Sequence, residues 1–165
     1  MTCSPDILIV GLGAMGSATL MHAAGTGASV VGIDRYAPPH AHGSTHGESR
    51  ITRLAVGEGA EYVPLVRRSH VLWRQLEAAT GESLYRACGG LVMGGGVASP
   101  MHGQRNFFDS TVAVAAAHGI AHELLDAAGI AARWPQFGLS GEERGYFEPE
   151  AGYLRPEACV AATIE

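Results

Sequence analysis

Four residues near the start of the chain have the types and spacing to hold a nucleotide. Gly11, Gly13 and Gly16 form a G-x-G-x-x-G run, and Asp34 lies about 20 residues further on. Gly11 permits a tight turn, Gly13 lets backbone approach a pyrophosphate, and Gly16 lets a helix lie close to a strand. The helix N-terminus then offers unpaired N–H groups and a positive dipole end to the phosphates. Asp34 stands where a carboxylate accepts from ribose hydroxyls. FAD and NAD carry the same adenosine diphosphate half, so these residues do not separate them. Asp34 argues against NADP, because it would repel a 2′-phosphate; the neighbouring Arg35 softens that argument.

A second group follows directly. The segment Pro38 to Arg53, PPHAHGSTHGESRITR, holds three histidines and two arginines. On a strand, His40 and His42 would share one face, as metal ligands can. Gly43 and Gly47 interrupt any regular geometry and no further ligand type follows at metal-site spacing, so no metal site is expected. The plain alternative is a solvated polar loop.

The elements that must position these groups are legible around them. Asp6 to Val10 is a short apolar run leading into the glycine turn. Ala14 to about Thr26 is a helix punctuated by Gly25 and Gly27, and Ser29 to Ile33 is a second strand. Residues 6–34 are therefore β-α-β. Residues 36–49 form a polar connection too long for an ordinary crossover, and such connections are usually functional or disordered.

Further along, Tyr62 to Thr80 is the clearest helix. Tyr62, Leu65, Val66, Ser69, Leu72, Trp73 and Leu76 share one face, and Gly81 stops it. Trp73 is expected in the core rather than against a cofactor. Short strands are expected at Leu91–Met93, Glu123–Asp126 and Gly145–Phe147. Helices are expected at Phe107–His118, at Ala127–Trp134 before Pro135, and from Pro156 onward.

Composition narrows the class. The 165 residues carry 11 basic and 16 acidic side chains, net −5, with 47% hydrophobic residues. That suits one domain with a real core. No basic stripe suits nucleic acid, no apolar stretch is long enough to span a bilayer, and no basic n-region precedes the first apolar run. Cys3, Cys88 and Cys159 are widely spaced and odd in number. They are expected to be small thiols, buried or partly so, in a reducing, cytoplasmic compartment. A doubly wound domain needs more parallel strands than can be placed here, so an N-terminal fragment of a longer protein is expected. Such a fragment would expose a sheet edge and apolar surface, and alone would show low stability and little turnover.

The sequence resembles the monomeric sarcosine oxidase and N-methyl-tryptophan oxidase family of flavoenzymes, as its N-terminal part. The resemblance is carried by GLGAMGS (11–17), PPHAHGSTHGESRITR (38–53), GEGAEYVPL (57–65), the Leu72-Trp73 pair, RWP (133–135) and FEPEAGYLRPEAC (147–159). It implies an α/β, Rossmann-like FAD-binding domain with a parallel sheet, incomplete here. Residues 1–35 would be the dinucleotide motif, 36–61 the flavin and substrate loop, and 62–165 helices and short strands beginning the substrate domain.

It also implies FAD rather than NAD, and roles for particular residues. FAD-contacting positions would be Gly11, Gly13, Ala14, Met15, Gly16, Asp34, Arg35, Ser44, Thr45, Arg50 and Ile51. His46 lies in the loop beside the ring system, Arg50 is the flavin-face arginine, and Arg53 binds the substrate carboxylate. The chemistry suits these residue types. Reduced flavin gathers negative charge that nearby cations favour, and a guanidinium fork fixes a carboxylate bidentately. Arg53 could instead form a structural ion pair with Glu58 or Glu61. The implied reaction takes hydride from the carbon beside an amine nitrogen to flavin, and then electrons to O₂, giving hydrogen peroxide. The implied partner is a small N-methyl amino acid, and the implied full-length enzyme is a monomer. An NAD-dependent dehydrogenase and an inactive truncated chain are the alternatives.

The chain departs from the family pattern in places. Thr45 stands where the first of two adjacent histidines is usual, and Glu48 where Asp is usual. Leu54-Ala55-Val56 replaces a common His-Ala-Tyr, which leaves the substrate side chain open. The family's covalent flavin cysteine and oxygen-activating lysine match no residue here.

Overall fold

The computed structural model describes residues 4–95 and 106–165. The chain divides into two compact units. One comprises Met1–Arg50, Val71–Arg86 and Tyr153–Glu165; the other comprises Ile51–His70 and Ala87–Gly152.

In the first unit, strand β1 (Ile7–Val10) and strand β2 (Val30–Ile33) pair in parallel, Ile7 opposite Val30 and Val10 opposite Ile33. Both are β-branched runs, which suit a pleated surface. Parallel partners need a crossover, and helix α1 (Ala14–Ala24), built mainly of small residues, supplies it. Gly25 caps α1, and Gly27 turns the chain at φ +85°. Helix α5 (Pro156–Ile164) belongs to the same unit, with Pro156 in its first turn, and packs against α1. Leu84, Cys159 and Ala162 form a buried cluster there, and half-buried Trp73, Leu76, Leu154 and Ala158 pack on it. Trp73 is thus a core-packing residue.

In the second unit, strand β7 (Glu143–Glu148) is central in an antiparallel sheet between β5 (Gly90–Gly95) and β6 (Glu123–Asp126). Tyr146 faces Val92 on one side and Leu124 on the other. Helices α3 (Phe107–Ala117) and α4 (Ala127–Arg133) pack on this sheet. Asp126 caps α4 by accepting from the Gly129 N–H at 2.8 Å. The residue before Pro135, Trp134, is driven out of the helical region and ends it. Ala55, Val63, Ala115, Ile120 and Tyr146 make up the core.

Several expectations need correction. A turn of 3₁₀ helix (Ala60–Tyr62) precedes helix α2 (Val63–Thr80), and the fully buried residue of that first turn is Val63. Leu65 lies about 200° around the helix from it, and it is 66% exposed. Tyr62, outside the α-helix, is exposed too. Cys88 is exposed, because it sits in the turn after strand β4 (Tyr85–Ala87). Cys159 is buried as expected, and burial pushes its thiol up to about 11. Cys3 lies outside the described residues. Three strands of three residues each, β3 (Arg50–Thr52), β4 and β8 (Gly152–Leu154), were not expected, since so short a run shows no periodicity.

Candidate functional site

The glycine turn is built as its sequence requires. Gly11 follows β1 at φ +91°, a region that a side chain would strain, and its N–H donates to Ile33 O at 2.8 Å. Gly13 is the N-cap of α1 and brings no side-chain acceptor. A Cβ on Gly16 would lie 1.7 Å from the Gly11 carbonyl oxygen, so α1 and the turn touch through bare backbone. A cleft of about 250 Å³ opens here, lined by Gly11, Leu12, Gly13, Asp34, His40 and Thr45 among others.

Asp34 does more than wait for a ribose. Its Oδ2 accepts from the Leu12 N–H at 2.6 Å, and its Oδ1 accepts from the Tyr36 N–H at 3.0 Å and lies 3.2 Å from His40 Nε2. The carboxylate thereby fixes the middle of the glycine turn. An ionised carboxylate has about four acceptor sites, so one stays open for a ligand hydroxyl. The Leu12 N–H, then the Tyr36 N–H, then His40 hold the Asp34 carboxyl at about 2, below its ordinary 3.8. A depressed carboxyl contributes stability above its unfolded value and loses it as the pH falls towards the folded value. The wild-type melting temperature should therefore exceed that of Asp34→Asn above pH 4, and the gap should close between 3.8 and about 2. Thermal melts across that range test this; a pH-independent gap would count against it.

The loop from Pro38 to Ser49 is irregular rather than a strand, and local contacts organise its histidines. His42 stacks on Tyr36 with ring centroids 3.8 Å apart, and the His42 N–H donates to His40 Nδ1. Among the described residues, no group of three His, Cys, Asp or Glu side chains is placed to hold a metal. The Ala14 N–H, at the start of α1, donates to Thr45 Oγ1 at 3.1 Å. The Gly47 N–H donates to Glu157 Oε1 at 2.7 Å, which holds the Glu157 carboxyl below its usual range; the Glu48 backbone N–H and the His46 imidazole lower it further. Arg50 donates to Ser49 O and Ser44 O and closes the loop on itself. Thr45 and His46 are half-buried, whereas Ala14, Arg35, Ser44 and Arg50 are exposed. Met15 is 83% exposed. The structure therefore brings Gly11, Gly13, Asp34, Ser44 and Thr45 around one cleft. Ala14, Met15, Gly16, Arg35, His46 and Arg50 are not among the residues lining it.

In the second unit, Ile51 is 79% exposed. Arg53 Nη2 donates to both Glu58 carboxylate oxygens, at 2.8 and 2.7 Å, and its guanidinium lies 5.5 Å from the Phe107 ring centroid. Its Nε is buried without a hydrogen-bond partner. Glu148 was not picked out from the sequence, yet it is fully buried and accepts from the Leu54 and Ala55 N–H groups. The available signal was an acid two residues from Tyr146, on the buried face of an alternating strand.

The glycine cradle fits an adenine dinucleotide: bare backbone at Gly13, an α1 N-terminus facing the cleft, and a carboxylate beside it. Comparison with known proteins identifies which dinucleotide. Residues 6–165 match the family model described as FAD dependent oxidoreductase. The chain is 39% identical over 160 residues to an N-methyl-L-tryptophan oxidase of Yersinia pestis (strain Pestoides F), covering 97% of this chain and 41% of that protein. The same figures hold for the N-methyl-L-tryptophan oxidase of Yersinia pseudotuberculosis serotype O:1b (strain IP 31758). The open form of NikD, described as an unusual amino acid oxidase essential for nikkomycin biosynthesis, superposes with TM-score 0.83 at 28% identity, over 99% of this chain and 40% of NikD. L-proline dehydrogenase from P. horikoshii shares the fold, with TM-score 0.76 at 19% identity, over 99% of this chain and 41% of that one. The chain spans about two fifths of the length of the curated relatives it matches. No helix among the described residues is long and apolar enough to cross a membrane. With the family model matched across nearly the whole chain, this protein belongs to the FAD dependent oxidoreductase family, and its cofactor is FAD.

Proposed function

We propose that the protein carrying this chain oxidises the CH–NH group of an N-methyl amino acid, of the N-methyl-tryptophan or sarcosine type. The observation carrying this reading is the 39% identity over 97% of the chain to N-methyl-L-tryptophan oxidase. The chain would form the N-terminal part of the FAD-binding domain. Residues 1–35 would be the nucleotide motif, 36–61 the flavin and substrate loop, and 62–165 the start of the substrate domain.

FAD, when bound, would accept the hydride leaving the carbon beside the nitrogen and pass the electron pair to O₂, which becomes hydrogen peroxide. The chain's own residues have separable tasks. Gly11, Gly13, Ala14, Met15 and Gly16 offer backbone and an α1 N-terminus to the diphosphate, and the open acceptor site of Asp34 takes a ribose hydroxyl. By the family resemblance, Arg35 and Ile51 would each be a further cofactor contact. Ser44, Thr45 and His46 run beside it, and Arg50 brings positive charge to where negative charge develops. Arg53 takes the substrate carboxylate and so aims the C–H bond. Hydrolysis of the imine product then gives formaldehyde and the demethylated amino acid. We place the protein in the cytoplasm and its working form as a monomer.

The test uses the purified full-length gene product. Flavin absorbance, its bleaching by an N-methyl amino acid, and equal yields of peroxide and formaldehyde are expected. Oxidation that requires added nicotinamide nucleotide, without bleaching, would overturn the reading.

A further inference from the structure

Among the described residues, Glu148 is the only charged side chain that is fully buried, at 1% exposure. A carboxylate removed from water costs several kcal/mol unless donors surround it. Glu148 Oε1 accepts from the Leu54 N–H at 2.6 Å, and its Oε2 accepts from the Ala55 N–H at 3.1 Å and from the Tyr146 hydroxyl at 2.9 Å. Burial, the Glu148 charge and this hydrogen bond push the Tyr146 hydroxyl well above the ordinary phenol value, so it stays a donor.

The two backbone donors are consecutive amides, 94 and 93 residues from Glu148 in sequence. In an extended strand, successive N–H groups point to opposite sides. Both can meet one carboxylate only where the backbone bends, and this bend lies immediately after Arg53. Arg53 itself lacks a full set of side-chain partners. Only its Nη2 meets Glu58, and its Nε is a buried donor left unpaired. An unpaired buried donor is costly and persists when something else dictates the position. The bend held by Glu148 is that constraint.

We infer that Glu148 is a positioning residue for Arg53: by clamping the Leu54 and Ala55 amides it fixes the backbone from which the Arg53 guanidinium projects. Tyr146 supports the clamp from the neighbouring position on the same strand face. The inference rests on the reading of Arg53 as the substrate-carboxylate anchor. A Gln at 148 keeps one acceptor oxygen for one backbone N–H and turns its NH2 donor on the other, so one contact is lost and the bend relaxes.

The experiment uses the flavin-loaded full-length gene product and two substrates: N-methyl-tryptophan, and the same secondary amine without its carboxylate. Glu148→Gln should raise KM for the amino acid about tenfold or more, the loss of roughly one charge-assisted hydrogen bond, with kcat little changed. KM for the decarboxylated amine should stay as in wild type. In an Arg53→Gln background, Glu148→Gln should add no further selective rise, because the group it positions is gone. Should Glu148→Gln fail to fold, Tyr146→Phe decides: it keeps the carboxylate and should shift the same KM in the same direction, by about two- to threefold. Equal changes for both substrates, no selective change, or a selective rise that persists without Arg53 would overturn the inference. If Arg53→Gln treats the two substrates alike, the anchor reading fails and the inference falls with it. If Arg53→Gln discriminates and Glu148→Gln does not, the inference alone fails.

Discussion

Gly16→Ala abolishes FAD binding by the full-length gene product: this is the largest effect expected of any single methyl group in the chain. The added Cβ would lie 1.7 Å from the Gly11 carbonyl oxygen and 2.8 Å from its carbon. Both are backbone atoms, so no rotamer change relieves the clash. Gly11 cannot retreat, because its N–H is bonded to Ile33 O and the adjacent Leu12 N–H to Asp34. Helix α1 must lift from β1 instead, carrying the diphosphate-facing N–H groups away from the cleft. Overpacking a well-fitted site costs about 1–3 kcal/mol when side chains can adjust, and a backbone clash belongs at or above the top of that range. Gly27→Ala is the control. Gly27 has φ +85° but nothing within 4 Å of its would-be Cβ, so only backbone strain of about 1 kcal/mol is expected. The ratio of flavin to protein absorbance, with a thermal melt of each variant, reads both outcomes. A normal flavin ratio in Gly16→Ala would show that the cradle does not hold the diphosphate.

Arg53→Gln carries the second large expected effect, a fall in kcat/KM of about 10²-fold or more for an N-methyl amino acid. Two charge-assisted hydrogen bonds to a carboxylate are worth about 1.5–3 kcal/mol each, and each 1.4 kcal/mol or so is a tenfold change in rate. The fold should survive the substitution. The Arg53–Glu58 pair is partly solvated, and pairs of that kind contribute about 0–1 kcal/mol. Peroxide release measured across substrate concentrations separates KM from kcat, and a melting temperature near wild type separates chemistry from unfolding. A kcat/KM near wild type would leave the Glu58 ion pair as the whole purpose of Arg53.

Much of this was legible in the residues. The β1-α1-β2 unit announced itself, because β-branched runs, a glycine turn and a run of small residues each dictate backbone within a few positions. Helix α4 ended just before Pro135, α5 began at Pro156 as its proline required, and α3 ended one residue short of the expected His118. The phase of α2 was harder. Its apolar residues fit more than one stripe at helical spacing, and only packing selected Val63 over Leu65. Strands β3, β4 and β8 were invisible, since three residues carry no period and such strands exist through their partners.

The same division runs through the candidate site. The amino-acid order by itself determined the glycine turn, the acid beyond β2 and the class of cofactor, because each depends on neighbours a few to about 20 residues away. Tertiary structure decided what those groups are bonded to. It turned Asp34 back on Leu12, set Arg53 against Glu58 and Phe107, and brought Glu148 to the Leu54 and Ala55 amides. The reason is physical: propensity and periodicity act locally along the chain, whereas a buried carboxylate must find its donors wherever the fold delivers them.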